Sequence, residues 1–193
     1  MRKKVIKLLA WLLDKVRNDD LNNGFEMENQ PCYNKEGKFI GWFSRSMAVA
    51  GFVYCKDRRG NLYVLASERG KGAADFQGYW NCTCGYLSFH ETLKDACFRE
   101  IHEETGVDLT KEGNCQIVGI NDKLNANKQN VTVHFRIVII NKTIENFKFS
   151  HNFNDGKDEV GEIKWIAIDE IDNYNWAFNH CQLIKDYSID LYQ

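Results

Sequence analysis

The reading of this chain turns on Gly85-Tyr86-Leu87-Ser88-Phe89-His90-Glu91-Thr92-Leu93-Lys94-Asp95-Ala96-Cys97-Phe98-Arg99-Glu100-Ile101-His102-Glu103-Glu104-Thr105-Gly106-Val107. Thr92 supplies a hydroxyl able to cap a helix, and Asp95, three positions on, supplies the returning acid. That is a capping box with Asp in place of the usual Glu or Gln. Gly106 stops the helix, because glycine takes the left-handed conformation beyond a last turn at little cost. The signals predict a helix over 93–105, about three and a half turns long.

Residues placed about 100° apart around that helix, with Leu93 at roughly 0°, put Cys97 near 40°, Ile101 near 80° and Ala96 near 300°. This apolar arc should face the rest of the fold. Glu104 falls near 20°, Glu100 near 340° and Glu103 near 280°, inside or flush with the same arc. His102, Asp95 and Phe98 are expected on the outer face, with Arg99 at its edge. Three glutamates on a helix ordinarily form a solvated face, but here the charges lie on the side that packing buries. Carboxylates held together and partly desolvated repel one another and take up protons more readily. A hard divalent cation removes the conflict, and oxygen-only ligation favours magnesium, manganese or calcium over zinc. Arg99 can shield one edge as a guanidinium partner.

Outward from this helix the chain reads as strands. Met47 to Tyr54 is small and β-branched, Arg58-Arg59-Gly60-Asn61 is a turn, and Leu62 to Ser67 returns as the second arm of a hairpin. Gly70-Lys71-Gly72 opens a loop to about Gly78, and Trp80 to Leu87 is extended again. Gln116 to Ile120 is a short strand. Val131, Val133, Phe135, Ile137 and Ile139 alternate with Thr132, His134 and Arg136, the clearest strand pattern in the chain. His134, opposite the apolar set, reads as a surface or packed histidine. Lys164 to Ile168 is a last strand and Trp176 to Tyr187 a terminal helix. Residues 18–40 are polar and read as a linker or irregular cover.

Composition bounds the rest. The 193 residues are 44% hydrophobic and 27% charged, the balance of an ordinary globular protein with one domain and an appendage. The aromatic content of 13% excludes a disordered chain, and the single proline, Pro31, excludes proline-rich classes. The longest apolar run, Leu8 to Leu13, falls far short of the ~18 residues a membrane span needs. A net charge of −2 gives no basic footprint for nucleic acid, although residues 1–17 carry +5 and the remainder −7. Ile6, Leu9, Leu13 and Val16 recur at helical spacing, so this basic start is expected to be an amphipathic helix for docking or dimer contact, rather than a membrane-surface helix or a signal peptide. Seven cysteines, an odd number in a chain able to hold its own core, point to free thiols in a reducing, cytoplasmic setting. Cys82 and Cys84 are too close for zinc spacing and are expected to be small core residues.

The quoted stretch resembles the Nudix box: glycine, five residues, glutamate, seven residues, then Arg-Glu-apolar-x-Glu-Glu-x-Gly-apolar. Every fixed position from Gly85 to Val107 matches. A weaker similarity extends from about Ser46 to Ile171 and includes Glu162-Ile163-Lys164-Trp165 and Asp169-Glu170-Ile171. The resemblance implies an α+β fold, an α/β/α sandwich with a mixed β-sheet and a loop-helix-loop at the box. The domain of this kind is expected over 41–193, and the amphipathic helix and linker over 1–40 lie outside the resemblance. It implies hydrolysis of a pyrophosphate bond in a nucleoside diphosphate linked to another moiety. Magnesium or manganese would be held by Glu100, Glu103, Glu104 and the backbone carbonyl of Gly85. Glu91 and Arg99 would brace the loop against the helix. Glu103 or Glu159 would act as general base, with Glu162 and Asp158 as further acids before the closing strand.

Arg69, leaving the second strand of the hairpin, is either a phosphate contact or a surface arginine. Trp42, Phe43, Phe76 and Tyr79 are stacking surfaces for a base, or else core and hairpin packing. Family members often carry Pro-Gly before the box glycine; this chain has Thr83-Cys84. The proline that accompanies many ADP-ribose hydrolases and the tyrosine that accompanies many dinucleoside-polyphosphate hydrolases after the box are both missing, which counts against those subclasses. The expected partner is a small nucleotide, with no stable nucleic-acid partner, and a homodimer is consistent with the family. Two other readings are a nucleotide-sensing protein without catalysis and a different Nudix chemistry, namely RNA cap removal or isopentenyl diphosphate isomerisation, with Cys82 or Cys84 as its cysteine.

Overall fold

The computed structural model describes residues 30–43, 45–111, 114–123, 130–150 and 158–192. The helix expected over the first seventeen residues lies outside them. The chain divides into two compact units, one over Met1–Arg45 with Leu124–Gln129 and one over Ser46–Lys123 with Asn130–Gln193.

The described part of the first unit corrects the expectation of a linker over 18–40. Gln30–Tyr33 (β1) and Phe39–Phe43 (β2) pair as an antiparallel hairpin. Asn34 organises the turn: its Oδ1 accepts the backbone N–H groups of Glu36 at 3.1 Å and Lys38 at 2.8 Å. Pro31 obscures the strand in the sequence, since proline is tolerated only on edge strands.

The second unit is a mixed sheet. Its strands are Met47–Lys56 (β3), Leu62–Arg69 (β4), Trp80–Asn81 (β5), Cys84–Tyr86 (β6), Asn114–Asn121 (β7), Val131–Thr143 (β8) and Val160–Ala167 (β9). The main path runs β5-β4-β3-β8-β7, with β6 on β3 and β9 on β4. The β3–β8 pair is parallel; the other pairs are antiparallel. Asp57 closes the β3–β4 turn, its Oδ1 accepting the N–H groups of Arg59 and Asn61, both at 2.8 Å.

Alternation along the strands makes two cores, and each takes one helix. Val49, Val53, Leu65, Val133, Phe135 and Ile137 face Ala96, Cys97 and Ile101 of the helix Leu93–Thr105 (α1). Phe52, Tyr54, Val64 and Ile166 face Ile184 of His180–Ser188 (α2). His134 sits on the α2 side, 5% exposed, with Nδ1 2.8 Å from the Tyr187 hydroxyl, so it is a packed histidine. Burial lowers its pKa.

Two expectations need adjustment. The terminal helix begins at His180 instead of Trp176, because residues 175–177 pair with the open edge of β5: Trp80 donates to Asn175 O and Ala177 donates to Trp80 O, both at 2.8 Å. The extended run over Trp80 to Leu87 is two short strands, because each half pairs with a different neighbour. β4 meets β3 only at Leu62–Val64 and then diverges. β6 takes the vacated edge of β3 at Ala48–Ala50, and β5 takes that of β4 at Ser67 and Glu68. The sheet therefore forks, and β5 and β6 line the opening.

Candidate active site

The helix α1 spans Leu93–Thr105, as its cap signals require. Thr92 Oγ1 accepts the Asp95 N–H at 3.2 Å, and Asp95 Oδ2 accepts the Thr92 N–H at 3.3 Å. At the other end Gly106, at φ 74°, donates to His102 O at 2.8 Å. Ala96, Cys97, Ile101 and Thr105 are buried. Phe98, expected on the outer face, is instead partly buried against the first core. The buried arc is centred nearer Ile101 than the apolar residues alone suggest, and the acids border the fork.

Arg99 is the hub of this border. Its Nε and Nη2 grip Glu91 at 2.9 and 2.8 Å, its Nη1 reaches Glu100 at 2.8 Å and Glu103 at 2.9 Å, and Nη2 also donates to Tyr86 O at 3.0 Å. One guanidinium thus joins Glu91 of the loop and the Tyr86 carbonyl at the end of β6 to two carboxylates of the helix. Glu91 further accepts the Ser88 N–H at 2.7 Å. The Arg99 bonds hold the Glu91 carboxyl down to about 2.

Glu104 turns away from Arg99 into the fork. Its Oε2 accepts the Ser67 hydroxyl at 3.3 Å, and Ser67, 2% exposed, also contacts Asn81 at 3.4 Å. Burial, with Glu100 adding repulsion, pushes the Glu104 carboxyl up to about 8, against the pull of Ser67, the Cys84 N–H and Arg69. Glu100 is also raised, by burial first, with Arg99 opposing. Ser67 and Asn81 escaped sequence reasoning; the available signal was a small polar residue at a strand end and an amide inside an apolar stretch.

Gly85 lies against Glu100. A Cβ there would stand 2.1 Å from the Glu100 carboxyl carbon, so a side chain at this position would have to displace that carboxyl. Among the described residues no three His, Cys, Asp or Glu side chains converge in a metal-holding group; the acids are turned to Arg99 and Ser67. The donor set nevertheless fits a hard divalent cation: oxygen atoms only, a bare glycine beside them, and a desolvated carboxyl that favours neutralisation.

Arg69 and Glu159 stand together at the end of β4. The Arg69 guanidinium is paired with Asp75 at 2.6 Å and lies 5.4 Å from the centre of the Phe178 ring. Glu159 O accepts the Gly70 N–H at 2.8 Å, and its side chain is exposed. Asp158 O accepts the Gly72 N–H at 2.9 Å. Glu162 is paired with Lys164 at 3.0 Å. Phe76 and Tyr79 are 42% and 41% exposed, not core; the side chains of Trp42 and Phe43 lie outside the described residues. All seven cysteines are free thiols. Cys82 is fully buried, and burial pushes the Cys84 thiol up to about 12.

The sequence model of the NUDIX domain matches residues 44–187. No curated protein matches in sequence. Solved structures share the fold. The NUDIX domain of Shewanella oneidensis NrtR complexed with ADP ribose superposes with a TM-score of 0.61 at 19% identity, over 82% of this chain and 94% of that one. NrtR complexed with a 27mer DNA superposes at 0.54 and 20% identity, over 75% of this chain and 61% of that one. A bifunctional NMN adenylyltransferase/ADP ribose pyrophosphatase from Francisella tularensis, complexed with AMP and a Mn ion, superposes at 0.58 and 18% identity, over 78% of this chain and 43% of that one.

Proposed function

The chain belongs to the Nudix family, and from that premise we propose that it hydrolyses a pyrophosphate bond in a nucleoside diphosphate linked to another moiety. The observation that carries this reading is the set of box acids braced by Arg99 beside the bare Gly85.

Glu100, Glu103, Glu104 and the Gly85 carbonyl would hold magnesium or manganese. When bound, the cation neutralises phosphate oxygens and makes a coordinated water more acidic. The rest of the work falls to the chain. Glu91 and Arg99 fix the loop that carries Gly85 to the helix that carries the acids. Ser67 and the Cys84 N–H hold Glu104 in the fork. Glu103, with its side chain 44% exposed, can take a proton from water, and Glu159 is the second candidate for that base. Arg69, anchored to Asp75 through Nε and Nη2, would meet a phosphate from that fixed position.

The free thiols support a cytoplasmic setting, and among the described residues no helix is long and apolar enough to cross a membrane. A homodimer remains part of the proposal through the family resemblance. A nucleotide-sensing role is the second reading, favoured by the likeness to a DNA-bound NrtR and opposed by the complete set of acids. Isomerase chemistry is opposed by the buried thiol of Cys82 and the partly buried thiol of Cys84, both of which desolvation keeps protonated.

The test is turnover of nucleoside triphosphates, sugar nucleotides, dinucleotides and oxidised nucleotides with magnesium or manganese, scored by product. Glu103→Gln should lose about a thousandfold in rate with the fold retained, in the range of lost acid–base and metal functions. Equal turnover by this variant would overturn the assignment. Binding without turnover in the parent protein would select the sensing role.

A further inference from the structure

Asn81 is the last residue of β5, and alternation turns it away from its neighbours. Trp80 and Cys82 enter the second core, while Asn81 points into the fork, where it is 2% exposed and belongs to neither core cluster. A buried amide is costly unless its polar atoms are bonded. Here Nδ2 donates to Cys82 O at 2.9 Å and to Cys84 Sγ at 3.7 Å, and Oδ1 lies 3.4 Å from the Ser67 hydroxyl.

These bonds close the turn on which the chain passes from the edge of β4 to that of β3. Thr83 O accepts the Gly51 N–H at 2.9 Å, and Cys82 donates its N–H to His180 Nδ1 at 3.1 Å. Gly51 lies under α1: a Cβ there would stand 2.8 Å from Ile101 Cδ1 and 3.0 Å from Cys97 Sγ. The turn therefore shares a floor with the helix that carries the acids. At its far end Cys84 gives its N–H to Glu104, and Gly85 follows at once, against Glu100. Ser67, the other contact of Glu104, is the partner of Asn81 across the β4–β5 ladder. Both groups that hold Glu104 thus meet at Asn81. Ser67 has one hydrogen to give, and an ionised carboxylate takes it in preference to an amide, because the charge-assisted bond is the stronger. The bonds from Asn81 Nδ2 to Cys82 and Cys84 do not depend on that choice.

We propose that Asn81 is a positioning residue for the cation: through the turn Cys82–Cys84 it sets where the Cys84 N–H, and with it Glu104, and the Gly85 carbonyl stand. This inference rests on the cation site of the pyrophosphohydrolase reading and adds to it a residue outside the box.

Manganese binding to the full chain, followed by the electron paramagnetic resonance signal of the free ion, tests it. Asn81→Leu fills the space without the amide and should weaken manganese about tenfold, within the range of about 10–100-fold for the loss of a group that orients metal ligands. Asn81→Ala, which adds no bulk, should show the same loss and serves where the leucine variant does not fold. Ser188→Ala is the control for a buried hydrogen bond lost elsewhere: Ser188 is 1% exposed, and its hydroxyl bonds Lys185 O on α2 at 3.0 Å. It should lower the melting temperature while changing manganese affinity less than about twofold, since distant sites act independently. A folded Asn81 variant with parental affinity, or equal weakening by Ser188→Ala, overturns the positioning role and leaves the hydrolase reading standing. If the parent protein binds no manganese, both fall.

Discussion

Arg99 grips both carboxylate oxygens of Glu91, through Nε at 2.9 Å and Nη2 at 2.8 Å. The two residues are eight positions apart, one on α1 and the other in the loop before it. A bidentate pair of this kind fixes direction as well as distance. It leaves Nη1 to serve Glu100 and Glu103.

Lysine cannot reproduce that fork. Arg99→Lys should keep the charge and lose the brace, lowering stability by about 1–2 kcal/mol. For a domain of this size that is a fall of roughly 2–8 °C in melting temperature. Thermal unfolding followed by circular dichroism measures it; an unchanged melt would show that the pair contributes no net stability.

The same pair sets an acid limb. The folded Glu91 carboxyl is held at about 2, below its ordinary 4.5. Its contribution is therefore present above about pH 4.5 and is lost as the pH falls toward 2. Urea unfolding between pH 6 and pH 3 should steepen in the parent and flatten in Glu91→Gln.

Glu104 has the opposite sign. Its folded value of about 8 lies above the ordinary 4.5, so in the metal-free protein the stability linked to its proton is full below about pH 4.5 and lost as the pH rises through 8. At pH 7 most copies carry the proton, and a magnesium or manganese ion held by Glu104 as proposed would displace it. Titration with manganese at pH 7 in buffers of different ionisation enthalpy should report release of close to one proton, falling toward zero at pH 9. Glu104→Gln should abolish the release.

Gly85→Ala inserts a Cβ into the space of the Glu100 carboxyl. Manganese affinity, read by paramagnetic relaxation of water, should fall at least about tenfold, since displaced ligands typically cost 10–100-fold. The core clusters do not include Gly85, so a folded variant with parental affinity would contradict the placement of the cation there.

The limits of α1 were legible because their causes are local: Thr92, Asp95 and Gly106 act within a few residues of themselves. The inward turn of Glu104 was legible for the same reason, through helical periodicity. Phe98 was misplaced because the wheel ranks only apolar side chains, while Thr105, held by its own bond to Ile101 O at 2.6 Å, widens the buried arc. Ser67 and Asn81 were invisible because they reach the site through pairings between separate strands. The split of β5 from β6 was hidden likewise, since nothing within Trp80 to Tyr86 announces which neighbour each half will choose. β1 and β2 were missed because a proline and a polar turn mask their alternation.

The parallel pairing of β3 with β8 sets Met47 beside Val131 and Ile139 beside Cys55. Every box residue, from Gly85 to Val107, lies in the chain between those partners. Distant parallel contacts are slow to form, because a long loop must close before they stabilise anything. During synthesis, α1 will leave the ribosome well before β8 does, and its apolar face will lack part of its eventual cover until then. The partners of the carboxylates, Ser67, Glu91 and Arg99, all precede α1 or lie in it, so what waits for β8 is the apolar cover beneath the helix and not the polar setting of its acids.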